Sequence, residues 1–413
     1  MSIALRFRDE QGQEFPQWQA KKLKDISQLI TKGTTPKKFS DKGVNFIKIE
    51  CFEGNKINLK KSSFIDEITH KNELKRSILF EGDILFAIAG ATVGKCNFVN
   101  NEILPANTNQ ALAIIRLKKN ENRVFIYQML ISSKMVRYID DNKSVGAQPN
   151  LNLEQMGNFL FAYPSSVEQT KIANFLTAVD EKITQLTQKC QLLAQYKKGV
   201  MQQIFSQALR FKDDVGQDFP EWETKQLCEI SQINPKAKSL PDEFIYIDLE
   251  SVVKGSLLKE NWVNSDEAPS RAQRFLSRGD VLFQTVRPYQ SNNLFFNKIG
   301  YYVASTGYAQ LRASGDPKFL YYCLHLDEFI GEVMNRCIGT SYPAINSTEL
   351  ASIGISVPVQ KEQTKIANFL TAIDDKLTHT QAQLTAAKHY KQGLLQQLFV
   401  WDNPLCHRNL NTR

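Results

Sequence analysis

Apolar side chains recur along two stretches of the chain in alternating steps of four and three residues. The first stretch runs from Ile172 to Ile204 and the second from Ile366 to Leu398. A period of 3.5 residues held for about five heptads is the pattern of a two-stranded coiled coil. It predicts two helices of about 35 residues, which at ~1.5 Å per residue span roughly 50 to 55 Å. The alternative is two amphipathic helices that each pack on their own domain.

A lysine interrupts both apolar stretches at the same heptad position. These residues are Lys197 and Lys391, and each follows a tyrosine, Tyr196 or Tyr390. Lysine stems can lie along apolar surface while the ammonium group stays in water. We therefore expect the tyrosine rings to turn into the seam and the lysines to reach outward.

Both helices begin with the same eleven residues. The string EQTKIANFLTA occupies residues 168–178 and again residues 362–372. A hydrophobic core needs only the right volume and pattern, so strict identity indicates a surface that contacts another molecule. The positions expected to form the coiled coil and the subunit interface are Gln169, Ile172, Phe175, Leu176, Val179, Ile183 and Leu186 in the first copy, and Gln363, Ile366, Phe369, Leu370, Ile373 and Leu377 in the second.

The repeat extends into the segments before the helices. Residues 6–30 resemble residues 210–234, including a Phe-Pro-x-Trp turn in each copy, and a Gly-Asp-x-Leu-Phe landmark also occurs twice. Insertions and deletions lie between these landmarks. The predicted domains are a first globular domain at 1–165, a central helix at 166–209, a second globular domain at 210–360, a C-terminal helix at 361–400 and a tail at 401–413.

The position of the repeat along the chain predicts how the ends are arranged. Arg210 follows a helix, whereas its equivalent, Arg6, follows only a few residues. We expect the C-terminal helix around Leu395 to Val400 to take the missing place. The two long helices would then be antiparallel, and the two chain ends would lie close together.

Short runs rich in β-branched and aromatic residues fill the two globular domains. Examples are residues 44–50, 83–88, 111–117, 244–249 and 300–304, which are separated by Gly, Asn and Pro. This pattern favours a mixed fold with variable loops. The fold class we predict is α+β: two globular domains with curved β-sheets, separated by two long antiparallel coiled-coil helices, in an internal pseudo-two-fold repeat.

Composition limits the compartment and the partners. No apolar stretch reaches the ~18 residues needed to span a membrane, and the N-terminal MSIALRF does not resemble a signal peptide. Seven scattered cysteines without a CxxC motif agree with a reducing cytoplasm. Residues 20–165 hold 22 Lys and Arg against 14 Asp and Glu, whereas residues 225–360 hold 13 against 14. The first domain therefore has the charge of a nucleic-acid binder, although such runs are often only solvated faces.

Catalytic motifs are weak throughout the chain. The stretch from Gly90 to Cys96 resembles a phosphate loop but has one residue too few between its glycines and a cysteine in place of the hydroxyl residue. The five histidines lack metal-ligand spacing, and no cofactor loop of a methyltransferase is present. We expect no catalytic residues, no metal and no cofactor bound by this chain.

The order of a variable domain, a helix that begins EQxKIAxFL, a second variable domain and a second such helix resembles the specificity subunit of type I restriction-modification systems. Beyond the interface positions above, the match includes Ala173, Asp180 and Lys182 in the first helix, and the Gly-Thr-Thr-Pro loop at residues 33–36. The second domain departs from this pattern with Ile-Asn-Pro-Lys at residues 233–236. A different recognition class would account for that departure.

The resemblance implies a non-catalytic subunit that reads a two-part, asymmetric DNA site, one target recognition domain for each half. It implies two adenine methyltransferase subunits and endonuclease/translocase subunits as partners, which would carry S-adenosylmethionine, ATP and Mg. Candidate DNA contacts, chosen from loop position and chemistry, are Lys32, Thr34, Thr35, Lys37, Lys38, Lys95, Lys143 and Gln148 in the first domain, and Lys236, Lys238, Arg271, Arg274, Arg287, Tyr289, Ser341 and Tyr342 in the second. Two alternatives stay open: a type II-like relative with the same subunit, and a self-contained DNA-modifying or DNA-cutting enzyme.

Overall fold

Strands and helices recur in the same order in the two halves of the chain. The computed structural model describes residues 5–142, 150–237 and 239–399. By its internal packing the chain divides into unit 1, Met1–Thr187 with Ala382–Arg413, and unit 2, Gln188–Gln381. Each unit contains one globular domain, the first half of the long helix that follows it, and the last half of the other long helix.

The elements that begin in the first half of the chain are β1 Gln19–Lys22, α1 Leu23–Ile26, β2 Ser27–Lys32, β3 Val44–Ile47, β4 Phe52–Glu53, β5 Lys56–Ile57, β6 Ser63–Ile65, β7 Ile84–Ala87, β8 Cys96–Phe98, β9 Ala106–Thr108, β10 Leu112–Leu117, α2 Arg123–Leu130, α3 Ser133–Asp141, α4 Leu153–Asn158, β11 Leu160–Tyr163 and α5 Ser166–Phe205.

The elements of the second half are β12 Glu223–Gln226, α6 Leu227–Ile230, β13 Ser231–Ile233, β14 Glu243–Ile247, β15 Val252–Val253, β16 Ser256–Leu257, β17 Asn261–Asn264, β18 Ala272–Phe275, β19 Val281–Gln284, β20 Leu294–Phe295, β21 Tyr302–Ser305, β22 Tyr308–Ala313, α7 Pro317–Cys323, α8 Asp327–Asn335, α9 Ser347–Ala351, β23 Gly354–Val357 and α10 Gln360–Phe399.

Each unit is built around a four-stranded antiparallel sheet. Its order is β2-β10-β7-β8 in unit 1 and β13-β22-β19-β20 in unit 2. A second, mixed sheet lies in each domain, with orders β6-β3-β9 and β17-β14-β21-β18, and in each sheet one pair of strands is parallel, β3 with β9 and β14 with β21. The runs predicted as strands form β3, β7, β10, β14 and β21. The predicted mixed α+β class with an internal repeat is therefore confirmed.

The repeated Gly-Asp landmark has a structural role in the four-stranded sheets. Gly82 and Gly279 have φ angles of +83° and +95°, a region that disfavours side chains. The aspartate that follows is buried and receives an arginine from the neighbouring strand. Arg116 Nε lies 2.8 Å from Asp83 Oδ1, and Arg312 holds the equivalent aspartate in unit 2 in the same way. The landmark therefore ties the turn before β7 or β19 to the strand beside it.

The long helices contribute to the hydrophobic cores of both units. In unit 1 the first turns of α5, including Ile172, pack in one cluster with Leu398 and Phe399 from the end of α10. In unit 2 the first turns of α10 pack with Val200 and Ile204 from the end of α5. Because the beginning of one helix meets the end of the other, the helix pairing inside each unit is antiparallel, as predicted.

The end of α10 fills the same place in unit 1 that the end of α5 fills in unit 2. The ring of Phe399 lies 5.7 Å from that of Phe125, and the equivalent pair Phe205 and Phe319 is also 5.7 Å apart. Near the other end of the chain, Phe7 packs against the cluster that contains Phe399. The described residues nearest the two ends therefore lie in one cluster, as expected, and residues 1–4 and 400–413 lie outside the described residues.

The predicted heptad seams match the buried stripes of both helices. Every seam position from residue 172 to 204 and from residue 366 to 398 is buried or half-buried. The expected orientation of the tyrosines was wrong, because Tyr196 and Tyr390 are 53% and 56% exposed. Lys197 and Lys391 remain at the seam, because each ammonium group forms a salt bridge with an aspartate of the other long helix.

Candidate nucleic-acid interface

Three loops of unit 1 emerge from one edge of its four-stranded sheet. Ala113 of β10 pairs with Lys32 at the end of β2, and Leu112 pairs with Ala87 at the end of β7. The loops after β2, after β7 and before β10 therefore start side by side. We call this set of loops the unit 1 edge.

Backbone hydrogen bonds hold the Gly-Thr-Thr-Pro loop against the unit 1 edge. The Gly33 N–H donates to the Leu112 carbonyl at 3.1 Å, and the Thr34 N–H donates to the Thr108 carbonyl at 3.0 Å. A Cβ on Gly33 would lie 2.1 Å from the Thr108 oxygen, so only glycine fits this approach. The Thr35 hydroxyl donates to the side-chain carbonyl of Gln110. The loop is thus preorganised before any ligand arrives.

Exposed lysines surround this loop. Lys32, Lys37, Lys38 and Lys95 all have exposed side chains. The backbone of Lys95 is fixed on both sides, since its carbonyl accepts from the Ala87 N–H at 2.8 Å and its own N–H donates to Thr92 at 3.1 Å. The Lys37 N–H donates to Glu73, which turns this part of the loop toward residues 69–73. Lys143 and Gln148 lie outside the described residues.

The glycine-rich segment before Lys95 is not built as a phosphate loop. It leads into strand β8, which begins at Cys96. A phosphate loop leads into a helix whose N-terminus binds the phosphates. This segment therefore lacks the loop-to-helix geometry of a phosphate loop.

Unit 2 presents loops at the same edge of the equivalent sheet, which we call the unit 2 edge. Asn234 follows β13 and takes the place of Gly33, with a φ of +50° that asparagine tolerates better than most residues. Its N–H donates to the Gln310 carbonyl at 2.7 Å, and its side-chain oxygen accepts from the Gln310 N–H at 2.9 Å. Different residues thus build the same attachment.

The loop after β19 holds an arginine against an exposed tyrosine. Arg287 has a left-handed φ of +54°, and its N–H donates to the Pro343 carbonyl at 2.7 Å. Its guanidinium carbon lies 4.2 Å from the centre of the Tyr342 ring. The fixed backbone and the stacked guanidinium preorganise this side chain. Tyr289 and Ser341 are exposed on the same loops.

The other candidates of unit 2 differ in how available they are. Lys236 is exposed in the loop after β13. Arg271 is also exposed, and its carbonyl accepts from the Thr306 N–H at 2.8 Å, which brings it beside the loop before β22. Arg274 is half-buried, and burial lowers the pKa of its guanidinium, which still stays charged at neutral pH. Lys238 lies outside the described residues.

The buried start of each long helix explains much of its repeated sequence. The carboxylate of Glu168 is fully buried and accepts from Trp18 Nε1 at 2.8 Å and from Arg6 Nη2 at 3.0 Å. In unit 2, Glu362 accepts from the equivalent tryptophan at 3.2 Å and the equivalent arginine at 2.9 Å. Both donors belong to the segment that is duplicated before each domain.

Other residues of the eleven-residue string also have partners inside their own unit. Lys171 Nζ donates to the Arg8 carbonyl at 3.0 Å, and the Phe175 ring lies 5.6 Å from Phe7. The same contacts recur in unit 2. This network was not predicted from the sequence, although the paired duplication of the two segments was a signal for it.

The predicted interface positions consequently form internal packing. Buried members are Gln169, Ile172, Leu176, Leu186, Gln363, Ile366, Leu370 and Ile373, and half-buried members are Phe175, Val179, Ile183, Phe369 and Leu377. Only the exposed residues of the repeated string can therefore form a partner surface. The residues of the string that are exposed in both copies are Asn174 and Ala178, with Asn368 and Ala372 in the second copy, whereas Thr170 is exposed in the first copy only.

Among the described residues, no three His, Cys, Asp or Glu side chains are grouped so that they could hold a metal ion. No helix in that part of the chain is long and apolar enough to cross a membrane. The candidate side chains at the two edges are cationic, hydroxyl, amide and aromatic.

Comparison with known proteins gives consistent matches over almost the whole chain. A family model described as type I restriction modification DNA specificity domain matches residues 16–195 and again residues 220–387. A Methanocaldococcus jannaschii protein named as the MjaX type I restriction enzyme specificity subunit is 25% identical over 425 residues, covering 97% of this chain and 98% of that protein. The MjaVIII specificity subunit of the same organism is 23% identical over 352 residues, covering 79% and 80%.

Solved structures show the same fold. The S subunit of a type I restriction-modification system from M. genitalium superposes with a TM-score of 0.61 at 16% identity, covering 98% of this chain and 100% of that one. A chain from a structure concerned with complex assembly and conformational transition of the type I system gives a TM-score of 0.55 at 17% identity, covering 93% and 98%.

Proposed function

Because the chain belongs to the type I restriction-modification DNA specificity family, we propose that each of its units reads one half of a two-part, asymmetric DNA site. The observation that carries this proposal is the pair of equivalent sheet edges. Their framework is repeated down to single hydrogen bonds, while the side chains they display differ. Such a pair suits one task performed on two different DNA sequences.

At the unit 1 edge we assign phosphate binding to the exposed lysines and base contacts to the hydroxyls of Thr34 and Thr35. Phosphate contacts position a protein on DNA, and contacts to base edges in the major groove specify the sequence. At the unit 2 edge Arg287 offers paired donors held flat by Tyr342. Arginine in this form most often reads guanine.

The long helices serve two further roles in this proposal. As a coiled coil they set the spacer between the half-sites, since each helix is 40 residues long and thus ~60 Å. Their identical starts dock two adenine methyltransferase subunits, one per unit, through the exposed Asn174 and Asn368. Endonuclease/translocase subunits then join this core, which acts on DNA in the cytoplasm.

The chemistry belongs to the partners in this account. The methyltransferase subunits bind S-adenosylmethionine and flip the target adenine out of the helix, because its amino group is inaccessible within the stack. ATP and Mg belong to the endonuclease subunits. This chain decides where they act.

Mapping methylated adenines across the genome of cells with and without the chain tests the proposal. The expected result is a single two-part motif with a fixed spacer, which disappears without the chain. A continuous motif, or methylation that persists without the chain, would contradict it. Methylation by the purified chain with S-adenosylmethionine alone would favour a self-contained enzyme, and cleavage on both sides of the site would favour the type II-like relative.

A further inference from the structure

The two lysines that interrupt the heptad seams meet aspartates of the other long helix. In unit 1, Lys391 Nζ of α10 lies 2.6 Å from Asp180 Oδ1 of α5. In unit 2, Lys197 Nζ of α5 lies 2.6 Å from Asp374 Oδ1 of α10. We call these two contacts the register pairs. They are equivalent under the repeat, and each joins the first half of one helix to the last half of the other.

The second oxygen of each aspartate is also occupied. Gln128 Nε2 of α2 donates to Asp180 Oδ2 at 2.8 Å, and the Tyr322 hydroxyl of α7 donates to Asp374 Oδ2 at 2.8 Å. Each aspartate is thereby held by its own globular domain at the same time as it binds the lysine. Its position along the helix pair is fixed from two sides.

The register pairs are sheltered from water. The side chains of Lys391 and Asp180 are 12% and 18% exposed, and those of Lys197 and Asp374 are 23% and 32% exposed. Removing two charges from water offsets most of their mutual attraction, so such pairs contribute little net stability. The best-attested use of polar groups in an apolar seam is to specify the register of the helices.

The sequence around the register pairs disfavours other registers. A slip of one heptad would place Lys391 opposite Ala173 or Thr187 instead of Asp180. It would place Lys197 opposite Ala367 or Gln381. Neither lysine would then face a carboxylate. The apolar residues, in contrast, would return to seam positions after such a slip.

We propose that Asp180, Asp374 and their two lysines are positioning residues that fix the register of α5 against α10. The consequence for spacer length rests on the function proposed above, because the spacer depends on how the helices are aligned. The register itself does not depend on that function, and it can be measured on the purified full chain without DNA.

Disulfide formation reports the register directly. Cys190 lies in the α5 seam one heptad before Lys197. Counted one heptad along each helix from the unit 2 pair, position 381 stands opposite Cys190, and after a slip of one heptad position 388 takes that place. Gln381→Cys therefore reports the native register and Lys388→Cys the slipped one. Cross-linked peptides are counted by mass spectrometry, with Cys190→Ser as the background control.

The perturbation removes the charges but keeps the acceptors for Gln128 and Tyr322. This neutral variant combines Asp180→Asn, Asp374→Asn, Lys197→Met and Lys391→Met. A charge-swap variant exchanges the lysine and the aspartate within each pair, so the pairing is kept. A control variant, Glu67→Gln with Lys71→Met, removes an exposed ion pair away from the helices.

In the neutral variant we expect an unchanged or higher Tm and a rise of about tenfold or more in the ratio of slipped to native cross-link. The charge-swap and control variants should keep the ratio of the natural chain. No rise in the slipped cross-link would overturn the proposal if the Tm is unchanged. A lower Tm without slipped cross-link would overturn it as well, because the pairs would then be merely structural.

Discussion

Replacing Glu168 by glutamine should loosen the start of α5 and leave unit 2 intact. The buried carboxylate accepts from Trp18 and Arg6, and an amide keeps only one acceptor oxygen and no charge. Loss of a hydrogen bond to a charged group costs about 1.5 to 3 kcal/mol. Arg6 is 22% exposed, so water compensates part of the loss, and we expect about 2 kcal/mol.

Hydrogen exchange of the full chain measures this loss in each unit separately, since local opening reports local stability. A change of about 2 kcal/mol corresponds to roughly 30-fold faster exchange, which we expect in β1 and the first turns of α5. The matched variant Glu362→Gln should have the same effect on β12 and the start of α10. Glu10→Gln changes an exposed carboxylate of the same duplicated segment and serves as the control.

Two results would contradict this role of Glu168. Faster exchange by less than about threefold would mean that the carboxylate does not hold the segment before the domain to the helix. An equal effect of Glu168→Gln on the peptides of both units would mean that the network is not local. A double-mutant cycle with Trp18→Phe supplies the coupling energy, which we expect to be about 1 kcal/mol or more.

Other variants test further parts of the account. Leu398→Ala should lower hydrogen-exchange protection in unit 1 and Ile204→Ala in unit 2, each by about 2 to 5 kcal/mol, because each helix end lies in that core; the reverse assignment would contradict the described packing. Gly33→Ala should reduce DNA affinity, as measured by a titration with duplex DNA, while the Tm of the chain stays normal. The added Cβ would clash with the Thr108 carbonyl oxygen, so the loop must move away from the unit 1 edge. Lys95→Gln should lower the salt slope of DNA binding by about one, and more than Arg287→Gln does, if the more basic unit 1 makes most of the phosphate contacts. Equal changes in slope would contradict that assignment.

The long helices and their seams could be predicted from the sequence because a 3.5-residue period is local information. Which helix half belongs to which unit depends on contacts between distant residues. The duplicated landmarks indicated part of this assignment, because Arg210 directly follows the end of a helix along the chain and Arg6 does not. That comparison predicted the place of the α10 end in unit 1.

Expectations from the sequence failed for side chains whose partners are far away along the chain. Lys197 was expected to reach outward, but its aspartate lies 177 positions away on the other helix. Glu168 was not expected to have an internal partner, but its carboxylate accepts from Trp18, which lies 150 positions away. Patterns in a single sequence report burial and period well, and they do not report which polar group meets which.

The candidate site was predictable as a set of loops and not as a geometry. Loop composition identified Lys32, Thr34 and Thr35, and sheet pairing then placed Lys95 at the same edge. The stacking of Arg287 on Tyr342 follows from a left-handed backbone that no sequence pattern marks.

The most direct test of the account compares the methylated sites of two variants in cells that carry the whole system. Arg287→Lys keeps the charge and loses the flat, paired donors of the unit 2 edge, and Thr35→Val changes only the unit 1 edge. We predict that each variant relaxes or abolishes recognition at one half-site, a different half for each variant, with the spacer unchanged. Relaxation of the same half by both variants, or of both halves by either one, would contradict the claim that each unit reads one half.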